Sequence, residues 1–254
     1  MSKKPLIFVT NDDGYNSKGI RVLINILRPW GDVVVVAPKE EMSGKSHSIT
    51  TNKPLIVETI HIEQGYEEYA LEGTPVDCVK MGFDNIIKRR PDFLFAGINM
   101  GANTSINTIY SGTMAAVMEG CTENVTSVGF SLCDDNKHAS LLECSAYVKR
   151  IAENVITKGL DDGICLNVNF PLGKIKGIKV GHQAKGYWTE EFDKSEQKDG
   201  YTIFWLGGQY HCTDNDPNAD WNAIKDGYTS IVPMHVDFTA WKFLQKTKQR
   251  FENI

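Results

Sequence analysis

Long apolar runs are missing from this chain of 254 residues, and none approaches the roughly 20 residues of a membrane-spanning helix. Met1-Ser2-Lys3-Lys4 leads straight into a short strand-like run without a signal-peptide core, so a cytoplasmic protein with no membrane partner is expected. Excess positive charge is missing too. Lys and Arg number 27 against 32 Asp and Glu, a formal net charge of −5, which argues against a basic surface for duplex nucleic acid. The six cysteines contain no C-x-x-C pair, and Cys78, Cys121 and Cys144 lie in apolar helical contexts. Reduced, buried small hydrophobes are expected rather than zinc ligands or disulfides. There is no internal repeat and no low-complexity tract. With 41% apolar and 23% charged residues, the composition is that of an ordinary globular domain, and the length suits one domain plus an arm.

What the chain does have is alternation. Short β-rich apolar runs at 6–9, 33–36, 93–95 and 125–132 predict buried strands, with helix-period segments at 18–27, 75–87 and 113–121 between them. That is the pattern of an α/β fold, a mostly parallel sheet covered by helices on both faces. Thr74 is the expected N-cap of the second helix, with Pro75 in its first turn. A longer amphipathic helix is expected from about His138 to Ile156, with Leu141, Leu142, Cys144, Tyr147, Val148, Ile151 and Val155 on one apolar face. It should end near Gly159. Residues 54–62 and 69–71 predict an antiparallel pair joined at Gln64-Gly65-Tyr66. Beyond Asn167-Val168-Asn169-Phe170-Pro171 the texture changes. Residues 181–228 are rich in glycine, aromatics and charge and lack helical periodicity, which predicts an irregular β-arm whose aromatic hairpins serve as an oligomer contact. Residues 227–233 read as a returning strand and 239–251 as a terminal helix. This divides the chain into a catalytic core, 1–180, and a C-terminal extension, 181–254.

In an open parallel sheet ligands bind beyond the carboxyl ends of the strands, so the residues after each apolar run are the informative ones. The first run exits into Asn11-Asp12-Asp13-Gly14. Neighbouring side chains in a strand point to opposite faces, so Asp12 and Asp13 converge only in the loop, where Gly14 supplies the turn. Two carboxylates a few ångströms apart raise each other's pKa, and a cation between them keeps both ionised. A hard, oxygen-seeking ion such as Mg²⁺ or Mn²⁺ fits. The same four residues also suit an Asx-type turn, and for this segment alone both readings stand. The second run exits through Ala37-Pro38 into a loop with Ser43 as a candidate hydroxyl ligand and His47 as a candidate general acid, phosphate contact or turn cap. Gly44-Lys45-Ser46 in that loop is not a P-loop, because Lys39 stands where the first glycine is required. The third run exits into Gly97-Ile98-Asn99-Met100-Gly101-Ala102-Asn103, a glycine-rich loop that lets two amides approach a ligand. It leads to Tyr110-Ser111-Gly112-Thr113, where Ser111 can cap a helix whose first N–H groups face an anion. A cation-ready pocket beside an anion-ready helix start is the pairing that phosphoester hydrolysis needs.

These motifs, in this order, resemble the SurE survival-protein family of 5′-nucleotidases. Asn167-Val168-Asn169-Phe170-Pro171, Asp220 with Ala223, and Gly227-Tyr228-Thr229-Ser230-Ile231-Val232-Pro233 resemble its C-terminal signatures, so the likeness covers most of the chain. The resemblance implies a Rossmann-like three-layer α/β/α core with an extension exchanged between subunits of a homodimer, in some members paired into a homotetramer. It implies a divalent-metal-dependent phosphomonoesterase that hydrolyses nucleoside 5′-monophosphates, with the 3′ position left open. By motif position, Asp12, Asp13, Ser43 and Asn99 hold one Mg²⁺ or Mn²⁺ per subunit, and Asn103, Ser111, Gly112 and Thr113 contact the phosphate. Asp12 and Asp13 are the catalytic pair, and either a metal-activated water or one of these aspartates attacks phosphorus. Ala96 replaces a frequent serine and Met234 a common leucine, at positions that supply no ligand. Two other readings compete. A non-catalytic nucleotide-binding regulator is opposed by retention of the acidic pair, the serine and both asparagines. A haloacid-dehalogenase-type phosphatase needs its aspartates two residues apart, and here they are adjacent.

Overall fold

The structure is a computed structural model that describes residues 4–134 and 139–252. From the N-terminus the elements are β1 (Leu6–Thr10), α1 (Lys18–Leu27), β2 (Asp32–Pro38), β3 (Val57–Glu63), β4 (Tyr66–Leu71), α2 (Pro75–Met81), β5 (Phe93–Met100), α3 (Gly112–Thr122), β6 (Thr126–Leu132), α4 (Leu142–Lys158) and β7 (Ile164–Phe170). The core closes with β8 (Ile178–Val180), and the extension adds β9 (Gly186–Thr189), β10 (Phe192–Lys198), β11 (Tyr201–Leu206), β12 (Gln209–Cys212), α5 (Asp220–Lys225), β13 (Thr229–His235) and α6 (Trp241–Phe251).

The central sheet has the order β3-β4-β2-β1-β5-β6-β7-β13-β8. Its pairs from β4 through to β7 are parallel, while β3 and β13 run antiparallel to β4 and β7. Strand alternation builds two cores from one run of sequence. In β1, Ile7 and Val9 enter the apolar cluster under α1 and α4, and Leu6 and Phe8 enter the one under α2 and α3. β2 divides in the same way, with Val33 and Val35 on the first face and Val34 and Val36 on the second. The result is the expected three-layer, Rossmann-like α/β/α arrangement. The chain leaves β1 toward β2 on one side and returns to β5 on the other, so strand order reverses between β1 and β5. A ligand crevice opens at such a point.

Several elements differ from expectation. β5 continues to Met100, so Gly97, Ile98 and Asn99 belong to a strand and not to a loop, with the register against β6 breaking between Ala96 and Asn99. Gly97 allows this with φ of +123°, and a Cβ there would lie 2.3 Å from the Phe130 carbonyl oxygen. α2 has the Thr74 cap and Pro75 start that were expected, but stops at Met81 and passes into one wide turn, Gly82–Ile86. Gly82 there sits so close to Phe8 that a Cβ would lie 2.3 Å from the ring. α4 begins at Leu142, and its expected start at His138 lies outside the described residues. Leu142 is 78% exposed, because the buried stripe runs through Leu141, Cys144, Val148, Ile151 and Val155, and one residue is about 100° of rotation away from it. The stretch expected to be irregular contains two antiparallel pairs, β9 with β12 and β10 with β11, and the short helix α5. No disulfide forms among the described residues. Cys78, Cys121, Cys144 and Cys165 are buried, while Cys133 and Cys212 are only half-buried. None of the described helices is long and apolar enough to cross a membrane.

Candidate active site

Where β1 ends, the Asn11 amide donates to the Gly14 carbonyl at 2.9 Å and to Ser17 Oγ at 2.8 Å. The Asn11 side chain thus closes the loop as a donor, while its Oδ1, the acceptor an Asx-type turn would use, has no hydrogen-bond partner, so the Asx-type reading does not hold here. Asp12 is only 4% exposed, and its carboxylate meets the start of α3. The Thr113 hydroxyl donates to Asp12 Oδ1, and the backbone N–H groups of Thr113 and Gly112 add to that grip. Burial nevertheless outweighs these bonds and pushes the Asp12 carboxyl above its usual range. Gly112 makes the approach possible, since a Cβ there would lie 2.9 Å from Asp12 Cβ. Asp13 is half-buried and accepts the Met100 N–H at 3.2 Å, which links it to the end of β5.

Asn99 is buried and donates its amide to the Gly101 carbonyl at 2.9 Å. Asn103 is held from two sides. Its N–H donates to Asn169 Oδ1 at 2.9 Å and its amide to Ser131 Oγ at 2.8 Å. Ser111 caps α3 by accepting the Met114 N–H at 3.0 Å.

Ser43 lies in the long connection between β2 and β3, which other elements tie down. Ser46 N–H reaches the Tyr110 carbonyl at 3.1 Å, and His47 Nε2 sits 2.9 Å from Glu119 Oε2 on α3. Thr50 donates its N–H and hydroxyl to Asp77 on α2 at 3.0 and 2.6 Å. His47 therefore anchors this connection to α3 and does not line the cleft described next. Glu119 also pairs with Lys80 at 2.6 Å, and the His47 hydrogen bond is the main reason its carboxyl falls below the usual range.

Asp12, Ser43, Asn99, Asn103 and Ser111 line one cavity of about 370 Å³, which brings all three strand exits together. Asp13 opens on an adjoining cavity of about 320 Å³, with Met100 on the wall between the two. Gly112 and Thr113 are buried behind Asp12 and engage its carboxylate. Tyr110, beside the Ser111 cap, lines the cleft as well, and so do Asn107, Trp188 and Trp221, which no motif singled out as site residues. The two tryptophans come from the extension, whose aromatic content pointed toward an interface.

Among the described residues no three His, Cys, Asp or Glu side chains converge as a metal cluster. The donor set is instead two carboxylates, a hydroxyl and an amide, all oxygen, which suits a hard cation. The Asp12 carboxylate has no Lys, Arg or His partner among the described residues, so a bound cation would offset its burial. The residues fit the ion.

A family model described as "Survival protein SurE" matches residues 7–190. This chain belongs to the SurE family. The span matched to SurE runs from β1 to the turn after β9 and includes each cleft residue named above except Trp221. A protein of Christiangramia forsetii named "5′-nucleotidase SurE" is 44% identical over 248 residues, covering 96% of this chain and 95% of that one. One of the same name from Flavobacterium psychrophilum is 45% identical over 246 residues, covering 95% and 96%. The crystal structure of SurE protein from Aquifex aeolicus superposes with a TM-score of 0.83 at 33% identity, covering 97% of this chain and 99% of that one.

Proposed function

We propose that this SurE-family chain is a 5′-nucleotidase, a phosphoric monoester hydrolase that releases phosphate from nucleoside 5′-monophosphates. The observation that carries the reading is the single cavity in which Asp12, Ser43, Asn99, Asn103 and Ser111 meet. Full-length relatives named as 5′-nucleotidases support it.

Asp12, Asp13, Ser43 and Asn99 are the residues that would hold one divalent ion, Mg²⁺ or Mn²⁺. Such an ion supplies positive charge at the phosphoryl oxygens and lowers the pKa of a water beside them. Asp12 is fixed for this role by Thr113 and Gly112, and Asp13 by the Met100 N–H. Asn99 and Asn103 are buried, and their side-chain bonds set each amide's orientation before substrate arrives. Asn103 and Ser111 line the same cavity as Asp12 and Asn99, where they would contact the phosphate oxygens. Gly112 and Thr113 act on the phosphate end through Asp12.

We assign residues 1–180 to the catalytic core and 181–254 to an extension that joins subunits into a homodimer or homotetramer. The exposed apolar side chains of β11 and α6, with β13 returning to the core sheet, support that assignment. A cytoplasmic setting is consistent with the cleft's need for cellular nucleotides.

The test is phosphate release from adenosine 5′-monophosphate by the protein and its Asp12→Asn variant. Loss of at least about 100-fold with an unchanged melting temperature is expected, the scale for removing a group that organises transition-state charge. Full activity in the variant overturns the assignment.

A further inference from the structure

We propose that Trp188 and Trp221 form a platform for the nucleobase, with Asn107 as the polar group that reads it, so that the C-terminal extension recognises the nucleoside half of the substrate. This rests on the nucleotidase reading and names the feature that would separate nucleotides from other phosphomonoesters.

The cavity that holds Asp12 and Asn103 also has both tryptophans in its wall, and its volume of about 370 Å³ falls within the range of small-ligand sites, ~300–1,000 Å³. Half-exposed aromatic rings beside a polar cleft offer a flat face on which a base can stack. These rings are held in place. Tyr210 lies between them, with ring centroids 5.7 Å from Trp188 at 61° and 4.5 Å from Trp221 at 53°. Its hydroxyl bonds Ser105 Oγ, and the Ser105 N–H donates to Asp220 Oδ2 at 2.8 Å. Asp220 is fully buried and also accepts the Trp221 N–H at 2.7 Å. A wall fixed on a buried hydrogen-bond framework loses little freedom when a ligand binds.

Asn107 gives the wall a chemical sense. The Trp188 indole N–H, which can only donate, lies 3.1 Å from Asn107 Oδ1. The amide must therefore turn its oxygen to Trp188, which leaves its NH₂ without an intramolecular partner among the described residues. Every common base offers that NH₂ an acceptor, whether a ring nitrogen, a carbonyl oxygen or both.

Adenosine 5′-monophosphate and ribose 5-phosphate share the reacting phosphate and differ by the base. Their kcat/KM ratio is to be measured with the same metal on the unaltered protein, Trp188→Ala and Trp188→Phe, together with the quenching of tryptophan fluorescence by each compound. A strong preference for the nucleotide is expected in the unaltered protein, falling about tenfold or more in Trp188→Ala through KM and kept in Trp188→Phe. Quenching by the nucleotide and not by the sugar phosphate is expected beside it. An unchanged ratio in Trp188→Ala, or equal turnover of both compounds by the unaltered protein, overturns the platform while leaving the phosphatase reading intact. Absence of phosphate release from both compounds overturns the nucleotidase reading instead.

Discussion

At the scale of single residues, the proposed site rests most on the Asp12 carboxylate. It is buried, raised in pKa, and supported by one hydroxyl and the first N–H groups of α3. Thr113→Val keeps the shape of the side chain and removes the donated hydrogen bond. A loss of about 1–3 kcal/mol in stabilisation of the carboxylate follows, which should lower kcat/KM by tenfold or more with only a small drop in melting temperature. Unchanged kinetics would show that Thr113 does not position Asp12. Gly112→Ala is expected to be at least as damaging, because its Cβ would fall 2.9 Å from Asp12 Cβ and 3.0 Å from Oδ2. Steady-state kinetics beside a thermal melt separate this local push from unfolding. The acidic pair itself was plain in the sequence, since Asn11-Asp12-Asp13-Gly14 follows an apolar strand directly. The role of Thr113 was not. A threonine after a Ser-Gly cap suggests a helix start, and nothing local says that its hydroxyl turns toward a residue 101 positions away.

At the scale of elements, the long connection between β2 and β3 is placed by helices it does not belong to. Asp77 serves both sides of this arrangement, closing the capping box with Thr74 and accepting two hydrogen bonds from Thr50. Burial alone would raise its carboxyl, but the bonds from Thr50 and Thr74 outweigh it and hold the group below its usual range. The unfolded chain then takes up the proton more readily than the folded one. Asp77 thus contributes stability above its unfolded pKa of about 3.9, and loses it as pH falls through the lower folded value. Urea unfolding at neutral pH and below pH 4 should show a smaller acid-induced loss in Asp77→Asn than in the unaltered protein. Equal losses would mean that other carboxylates carry the effect. The Thr74 cap and the Pro75 start were legible in the sequence, whereas the part Asp77 plays in closing the box came only with the structure. Two other features were hidden for physical reasons. Gly97-Ile98-Asn99 has turn-like composition, yet Gly97 tolerates a backbone that lets β5 continue. α5 is six residues long, too short to display a helical period.

At the scale of the whole molecule, sheet order explains why distant segments share one cleft. β1 and β5 are neighbours on opposite sides of the reversal, and their exits diverge to leave the crevice that Ser43 and α3 then close. Alternating strand and helix patterns were enough to foresee this. The folding of the extension back onto the cleft was not visible, because aromatic richness describes an interface and a ligand wall equally well. One segment carries candidates for both proposed uses: Trp188 and Trp221 line the cleft, whereas Trp205 on β11 is 68% exposed and Phe238 before α6 is 85% exposed. Apolar exposure on that scale supports the proposed association surface. Sedimentation should therefore find a dimer or tetramer, and Trp205→Asp should shift it toward the monomer. A monomer in the unaltered protein would remove the proposed role of the extension. The most direct test of the site as a whole is phosphate release from adenosine 5′-monophosphate with Mg²⁺, with Mn²⁺ and with a chelator in excess. Turnover with at least one of the two ions, abolished by the chelator and restored when the ion is returned, is expected. Undiminished turnover in the chelator, or none with either ion, contradicts a metal-dependent phosphatase centred on Asp12 and Asp13.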